Sequence, residues 1–147
     1  MRLLPPHPAG TVVTVGTFDG VHLGHLGVLH EIVARARSAD RLSVLVTFEP
    51  HPLEVVNPQA APLLLTSPPE RREVLAVTGL DYAVFLRFDR QLAEFSPERF
   101  VREVLIGRCG MRDLVIGHDH GFGRGRSGDA ETLRRLGASD GFTVDVV

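Results

Sequence analysis

The feature that most constrains the fold is a β-branched run that passes through a glycine-containing turn into a helix. The run is Thr11–Val15, and such a strand is typical of a parallel sheet that is covered on both faces. Gly16 and Gly20 follow, and they allow a tight turn whose bare backbone N–H groups an anion can approach. A helix is predicted from Leu23 onward, because apolar residues recur there at helical spacing: Leu26, Leu29, Ile32, Val33 and Ala36.

Two histidines open this predicted helix. His22 and His25 are three residues apart and therefore share one helix face. A helix N-terminus carries unpaired N–H donors and a partial positive charge, so it stabilises a phosphate before any side chain contributes. Imidazoles add donors to phosphoryl oxygens, and Gly24 leaves room for the ligand. The pattern predicts a nucleotide-phosphate site.

Two other interpretations of the histidines stay open. Histidines at this spacing also occur as surface or packing residues. They could instead form half of a zinc site, which needs further ligands at coordinating spacing. His118, Asp119 and His120 could supply some of those ligands. Phosphate binding explains the glycine turn, which a metal site does not require.

The remainder of the chain alternates strands with helices, which predicts a single α/β domain with a parallel sheet and right-handed crossovers. Met1–Gly10 holds three prolines and is interpreted as an extended entry segment. The further predicted strands are Ser43–Phe48, Tyr82–Leu86, Asp113–Ile116 and Thr143–Val147. The further predicted helices are Ser67–Thr78, one that begins at Ser96-Pro97-Glu98 and carries Phe100, Val101, Val104 and Leu105, and Asp129–Leu136.

Composition limits the classes of partner. The 147 residues suffice for one domain, and 16 basic against 18 acidic residues give a net charge of -2. That balance favours a small-molecule partner over nucleic acid or an anionic membrane. The one cysteine, Cys109, has no partner for an internal disulfide and is interpreted as a packing residue. No hydrophobic run is long enough to span a bilayer or to act as a secretion signal, so we expect a cytoplasmic protein.

A second glycine-rich loop follows the fourth predicted strand. Gly123–Gly128 fits the spacing G-x-G-x-x-G of a dinucleotide-binding turn, which would indicate a redox enzyme. The match is weak, because that motif needs its first glycine directly after the strand and five residues follow Gly117 before Gly123. The loop is either a solvated basic segment or a lid whose arginines, Arg124 and Arg126, reach phosphates. In an open parallel sheet, ligands bind beyond the carboxyl ends of strands where the winding reverses, so both glycine loops would face one cleft if their strands are neighbours.

Four segments resemble the bacterial FAD synthetases, which belong to the nucleotidyltransferases with an HxGH motif. Gly16–His25 contains that motif in the form that this family has. Val46–Pro52 is similar to its TFxPHP segment, and Leu64–Thr66 with Glu70-Arg71 is similar to its next loop and helix. Gly117–Gly128 is similar to its G-x-D-x-x-F-G-x-x-R-x-G loop. The resemblance covers nearly the whole chain and implies a Rossmann-like open parallel sheet of about five strands, of the nucleotidyltransferase type, with helices on both faces.

The resemblance also implies an activity and a set of site residues. The implied reaction transfers AMP from ATP to FMN, giving FAD and pyrophosphate, with Mg²⁺ bound to ATP and no protein partner. His22 and His25 would be catalytic, and no protein residue is predicted as a metal ligand. The implied nucleotide contacts are Gly16, Thr17, Phe18, Asp19, Gly24 and Asp119. The implied flavin contacts are Phe48, Pro50, His51, Pro52, Thr66 and Phe122.

Two departures from the family pattern bear on this interpretation. The family continues with a serine-threonine-arginine stretch that closes on the ATP phosphates, and the sequence ends at Val147 before such a stretch. We therefore expect residues 1–147 to be a C-terminally truncated FMN adenylyltransferase domain without the riboflavin kinase domain. His120 stands where many relatives have phenylalanine. The alternatives are a catalytically silent nucleotide- or flavin-binding fragment, and an adenylyl- or cytidylyltransferase that acts on another phosphorylated acceptor.

Overall fold

The computed structural model describes residues 8–15, 23–49, 79–87, 89–116 and 130–147, with the backbone alone for residues 23–26, 48, 49, 85 and 87. The described part of the chain contains five strands in one sheet: β1 (Thr11–Val15), β2 (Leu42–Glu49), β3 (Tyr82–Arg87), β4 (Met111–Ile116) and β5 (Thr143–Val146). Its helices are α1 (Leu23–Ala39), α2 (Arg90–Ala93), α3 (Pro97–Phe100) and α4 (Ala130–Asp140), and a π-helical segment, Val101–Ile106, continues α3.

All strand pairs are parallel, and the order across the sheet is β3-β2-β1-β4-β5. The chain therefore winds outward from β1 to β3, returns to the other side of β1 to form β4, and continues to β5. The winding reverses between β1 and β4. The predicted open parallel α/β sheet of about five strands is confirmed.

One face of the sheet is covered by α1. Along β1, Val12 points to this face, whereas Val13 and Val15 point to the other, because side chains alternate along a strand. The first face packs against one stripe of α1, and its buried cluster is Val12, Leu29, Ile32, Ala36, Leu45 and Val115. The predicted stripe is thus confirmed for Leu29, Ile32, Val33 and Ala36, all of which are buried. We call this surface the α1 face.

The opposite face is covered by α3, the π-helical segment and α4. Its cluster joins Val13 and Val15 of β1 to Phe100, Val104 and Leu105, and to Leu133 and Leu136 of α4. The predicted helix that begins at Ser96 is confirmed, since the Ser96 hydroxyl caps α3 by accepting a hydrogen bond from the Arg99 N–H at 3.2 Å. Helices therefore lie on both faces, as predicted.

The helix predicted to end at Leu136 extends to Asp140. Gly137 lies inside α4 and faces Phe142 at very short range. A Cβ atom at residue 137 would lie 2.4 Å from the Phe142 carbonyl oxygen. Gly137 is thus required by close packing. The helix ends instead before Gly141, whose φ of +84° is accessible to glycine.

The predicted strands agree with the structure to within two residues at each end. β1 has the predicted bounds, and β4 begins two residues earlier than predicted, at Met111. The register between β1 and β4 shifts between Thr11 and Val12, where Met111 and Asp113 are the successive partners. The short helix α2 was not predicted, and the predicted helix Ser67–Thr78 lies outside the described residues. Among the helices that are described, none is long and apolar enough to cross a membrane.

Candidate functional site

The reversal of winding creates the candidate site at the carboxyl edge of the sheet. β1 ends at Val15 and β4 ends at Ile116, and these two strands are neighbours. The condition for one shared cleft is therefore met, because both glycine loops leave adjacent strands at the same edge. This is where open α/β sheets bind ligands. The loops themselves, residues 16–22 and 117–129, lie outside the described residues.

The first turn of α1 begins at this edge and contains Gly24 and His25. No acidic residue occurs in that turn, so no side-chain carboxylate in it opposes an anion at the helix N-terminus. The observed start of α1 at Leu23 agrees with the predicted helix, so His25 lies in its first turn. The remaining predicted residues of this segment, Gly16, Thr17, Phe18, Asp19 and His22, lie outside the described residues.

The predicted flavin segment follows β2, the other neighbour of β1. Phe48 lies within β2 and pairs in register with Leu86 of β3. Because β2 is parallel to β1, it ends at the same edge of the sheet as β1 and β4. The other predicted flavin and nucleotide contacts, Pro50, His51, Pro52, Thr66, Asp119 and Phe122, lie outside the described residues and stay predictions.

β1 pairs in parallel with β4 on one side and with β2 on the other. Between described residues, the paired positions are Thr11 with Met111, Val12 with Asp113 and Val13 with Leu114. On the other side, β1 pairs with β2 along its whole length, from Thr11 with Leu42 to Val15 with Val46. β1 is therefore held between β2 and β4 as the central strand of the sheet.

Thr47 is a buried polar residue near this edge that the sequence analysis did not select. It is 1% exposed and follows Val46, the partner of Val15, in β2. Within the described part of the chain, its hydroxyl oxygen has no hydrogen-bond partner. A buried hydroxyl without a partner costs free energy. The sequence offered no signal for this property, because threonine is an ordinary strand residue.

An ionic cluster on the α1 face was also missed, and it connects the helix to the far strands. Arg35 Nε donates a hydrogen bond to Glu31 Oε1 of the same helix at 2.9 Å, and Arg35 Nη1 donates one to Asp145 of β5. The same Nη1 lies 3.9 Å from Asp113 Oδ2 of β4. One guanidinium therefore joins α1, β4 and β5. Charged residues inside otherwise apolar strands were the available signal.

The surroundings of Arg35 hold it in its charged form. Burial alone lowers the pKa of Arg35, but hydrogen bonds to Asp145 and Glu31, together with the charge of Asp113, outweigh that effect and raise the pKa. Asp113 is 7% exposed and also accepts a hydrogen bond from the Thr143 hydroxyl at 2.7 Å. The cluster is therefore a charged link between elements, not a set of independent surface ions.

Cys109 is buried and packs in the large cluster opposite α1. Burial raises its pKa to about 11, against a small opposing effect of Arg108. Because the thiolate is the reactive form, Cys109 is a thiol at neutral pH, and its interpretation as a packing residue is confirmed. Among the described residues, no group of three histidine, cysteine or carboxylate side chains could hold a metal ion. His118, Asp119 and His120 lie outside that part of the chain.

Comparison with protein families adds a decisive observation to this geometry. The model of the family described as FAD synthetase matches residues 4–147. The chain belongs to the FAD synthetase family. The matched range includes β1, α1 and β4, whose ends define the candidate site.

Curated relatives bear names that agree with the family. A bifunctional riboflavin kinase/FMN adenylyltransferase of Escherichia coli strain K12 is 36% identical over 135 residues, which are 92% of this chain and 43% of that protein. The protein of the same name from Pseudomonas fluorescens is 36% identical over 97% of this chain and 45% of its own length. A putative one from Geobacillus thermodenitrificans is 38% identical over 86% of this chain and 68% of its own length. The chain thus spans less than half of the first two relatives.

A solved structure supports the fold. The crystal structure of a protein from Streptococcus pneumoniae, named there as a macrolide-efflux protein, superimposes with a TM-score of 0.82 at 29% sequence identity. The match covers 97% of this chain and 47% of that one. The fold described above is therefore that of an experimentally determined structure over nearly its whole extent.

Proposed function

We propose that this chain transfers AMP from ATP to FMN, producing FAD and pyrophosphate. The observation that carries the proposal is the first turn of α1, which contains Gly24 and His25 and opens at the reversal of winding between β1 and β4. A helix start at a topological switch point is suited to a polyphosphate. Membership of the FAD synthetase family supplies the chemical identity of donor and acceptor.

In the proposed reaction, an oxygen of the FMN phosphate attacks the α-phosphorus of ATP in line. The new bond joins that oxygen to the α-phosphorus, and the bond from the α-phosphorus to the bridging oxygen of pyrophosphate breaks. The bonding electrons leave with pyrophosphate, so no covalent enzyme intermediate is required. Catalysis of this kind depends on positioning and on stabilising charge at the transferring group.

His22 and His25 are proposed to supply the charge stabilisation, together with the N–H groups at the start of α1. Donors directed at a site where charge develops lower the barrier, because they need no reorganisation during the reaction. ATP is proposed to bind as its Mg²⁺ complex, in which the ion neutralises part of the polyphosphate charge. We assign no residue of the chain as a ligand of that ion.

The two substrates are proposed to occupy neighbouring parts of one cleft at the carboxyl end of β1. The nucleotide would lie against the loop after β1 and the loop after β4, with contacts from Gly16, Thr17, Phe18, Asp19, Gly24 and Asp119. The flavin would lie against the segment that follows β2 and the end of the second loop, with contacts from Phe48, Pro50, His51, Pro52, Thr66 and Phe122. The strand order supports this division, since β2 and β4 flank β1. A free, buried Cys109 fits the reducing cytoplasm as the proposed location.

A product assay tests the proposal. The purified protein is incubated with Mg²⁺, ATP and FMN, and FAD and pyrophosphate are quantified together over time. We expect them to form in equal amounts, with no FAD when either substrate is omitted. Pyrophosphate release only with CTP, or only with another phosphorylated acceptor, would identify a different transferase. Binding of ATP and FMN without turnover would identify a binding fragment.

A further inference from the structure

The candidate site is divided between two halves of the sheet. β1, α1, β2 and β3 form the half that carries the histidine motif, and β4, α4 and β5 form the half from which the second glycine loop leaves. In the proposed reaction, groups from both halves must be held at fixed separations. A contact that sets the position of one half against the other therefore affects the reaction without touching a substrate.

Backbone pairing and apolar packing both join the two halves of the sheet. The pairs between β1 and β4 include Val12 with Asp113 and Val13 with Leu114, and the register shifts between Thr11 and Val12. On the α1 face, Val115 of β4 packs in the cluster of Leu29 and Ile32. Apolar contacts of this kind are non-directional. They hold the helix against the sheet through the shapes of the packed side chains, without a directional bond.

Arg35 supplies a directional contact at this place. Its guanidinium donates to Glu31 on its own helix and to Asp145 on β5, and lies 3.9 Å from Asp113 on β4. The Thr143 hydroxyl orients Asp113 through a 2.7 Å hydrogen bond. A planar guanidinium with several donors in a fixed geometry defines an orientation that an apolar contact cannot. Arg35 therefore connects α1, in the first half, to β4 and β5 in the second half.

We propose that Arg35 is a positioning residue: through Asp113 and Asp145 it fixes α1, with His25 in its first turn, relative to the carboxyl end of β4. This inference rests on the proposed function. Because Arg35 is ten residues beyond His25 in one helix, it lies about 15 Å from the site along the helix axis. It acts through the rigid helix and not by contact with ATP or FMN.

The test compares Arg35→Met with a matched control, Arg102→Met. Arg102 Nε donates a 2.8 Å hydrogen bond to Asp140, and this pair links two elements on the other face of the sheet. Steady-state kcat and KM for ATP and for FMN are measured from FAD formation, and circular dichroism verifies that each variant is folded at the assay temperature. We expect Arg35→Met to lower kcat about tenfold with KM changed less, because misalignment acts on the bound complex. Arg102→Met should leave both constants near those of wild type.

A second variant, Asp145→Ala, tests the same link from the strand. The Asp145 side chain is half-exposed at the sheet edge, so we expect Asp145→Ala to destabilise the fold less than a substitution in the core does. We expect kcat to fall in the same direction, and the double variant Arg35→Met/Asp145→Ala to be no slower than Arg35→Met alone, because both substitutions remove one link.

Three results would overturn the positioning role. They are a kcat for Arg35→Met equal to that of Arg102→Met, independent additive losses in the double variant, and a loss of rate fully accounted for by the unfolded fraction. If the wild-type protein forms no FAD under the same conditions, the proposed function fails together with this inference. An active wild-type protein with an unaffected Arg35→Met variant overturns the inference alone.

Discussion

The hydroxyl of Thr11 donates a hydrogen bond to the backbone carbonyl oxygen of Cys109, and the two oxygens are 3.0 Å apart. Thr47 is equally buried in the neighbouring strand, but its hydroxyl has no partner among the described residues. A threonine hydroxyl therefore stabilises the fold at residue 11 and costs free energy at residue 47.

This contrast predicts opposite effects of one substitution. Thr11→Val removes the donor and leaves a buried carbonyl oxygen without it, so we expect the free energy of unfolding to fall by about 1–2 kcal/mol. Thr47→Val replaces an unpartnered hydroxyl with a methyl group of similar size, so we expect stability to be unchanged or to rise by up to about 1 kcal/mol. Urea unfolding at equilibrium measures both. A loss of stability in Thr47→Val as large as that in Thr11→Val would show that Thr47 has a partner.

Two helix glycines make a second matched pair. At Gly137, a Cβ atom would lie 2.4 Å from the Phe142 carbonyl oxygen, whereas nothing lies within 4 Å of the corresponding position at Gly27 in α1. We expect Gly137→Ala to destabilise the protein by about 1–3 kcal/mol through overpacking. Gly27→Ala should stabilise it by about 0.5–1 kcal/mol, because alanine is the better helix former. Thermal and urea unfolding of the two variants test this, and equal effects would refute the packing role of Gly137.

The same pair shows what the sequence could predict and what it could not. Runs such as Thr11–Val15 reveal buried parallel strands, because their pattern depends on local residues alone. The predicted end of the last helix, Leu136, is four residues short of the observed end at Asp140. The contact of Gly137 with Phe142 exists only in the folded chain, so no local pattern reveals it. The short helix Arg90–Ala93 was missed because four residues show no periodicity.

In the candidate site, too, the sequence reveals local patterns but not long-range contacts. The sequence predicted where the site lies, because each motif is a short continuous segment. The structure then confirmed that β1 and β4 are neighbours. The link from Arg35 to Asp145 joins residues 110 positions apart. Neither residue belongs to a motif, so no local pattern predicts their contact.

The buried thiol of Cys109 predicts a dependence of stability on alkaline pH. Burial raises its pKa from 9.0 to about 11, so between these values the unfolded chain releases a proton that the folded chain retains. The unfolded state is thereby favoured, and stability should fall as pH rises from about 9 to about 11. Urea unfolding of wild type and of Cys109→Ala across this range measures the difference. An identical slope in both proteins would show that Cys109 does not contribute.

The histidine at the start of α1 gives the most direct test of the proposed phosphoryl chemistry. His25 lies in the first turn of α1, and His30 is an exposed histidine of the same helix that serves as the matched control. The measurement is the single-turnover rate of FAD formation, with the protein in excess over FMN and with saturating Mg²⁺ and ATP. We expect His25→Ala to lower this rate about a hundred- to a thousandfold, with His30→Ala near wild type. If His25→Ala forms FAD as fast as His30→Ala, the start of α1 does not stabilise the transferring phosphoryl group, and the account is wrong.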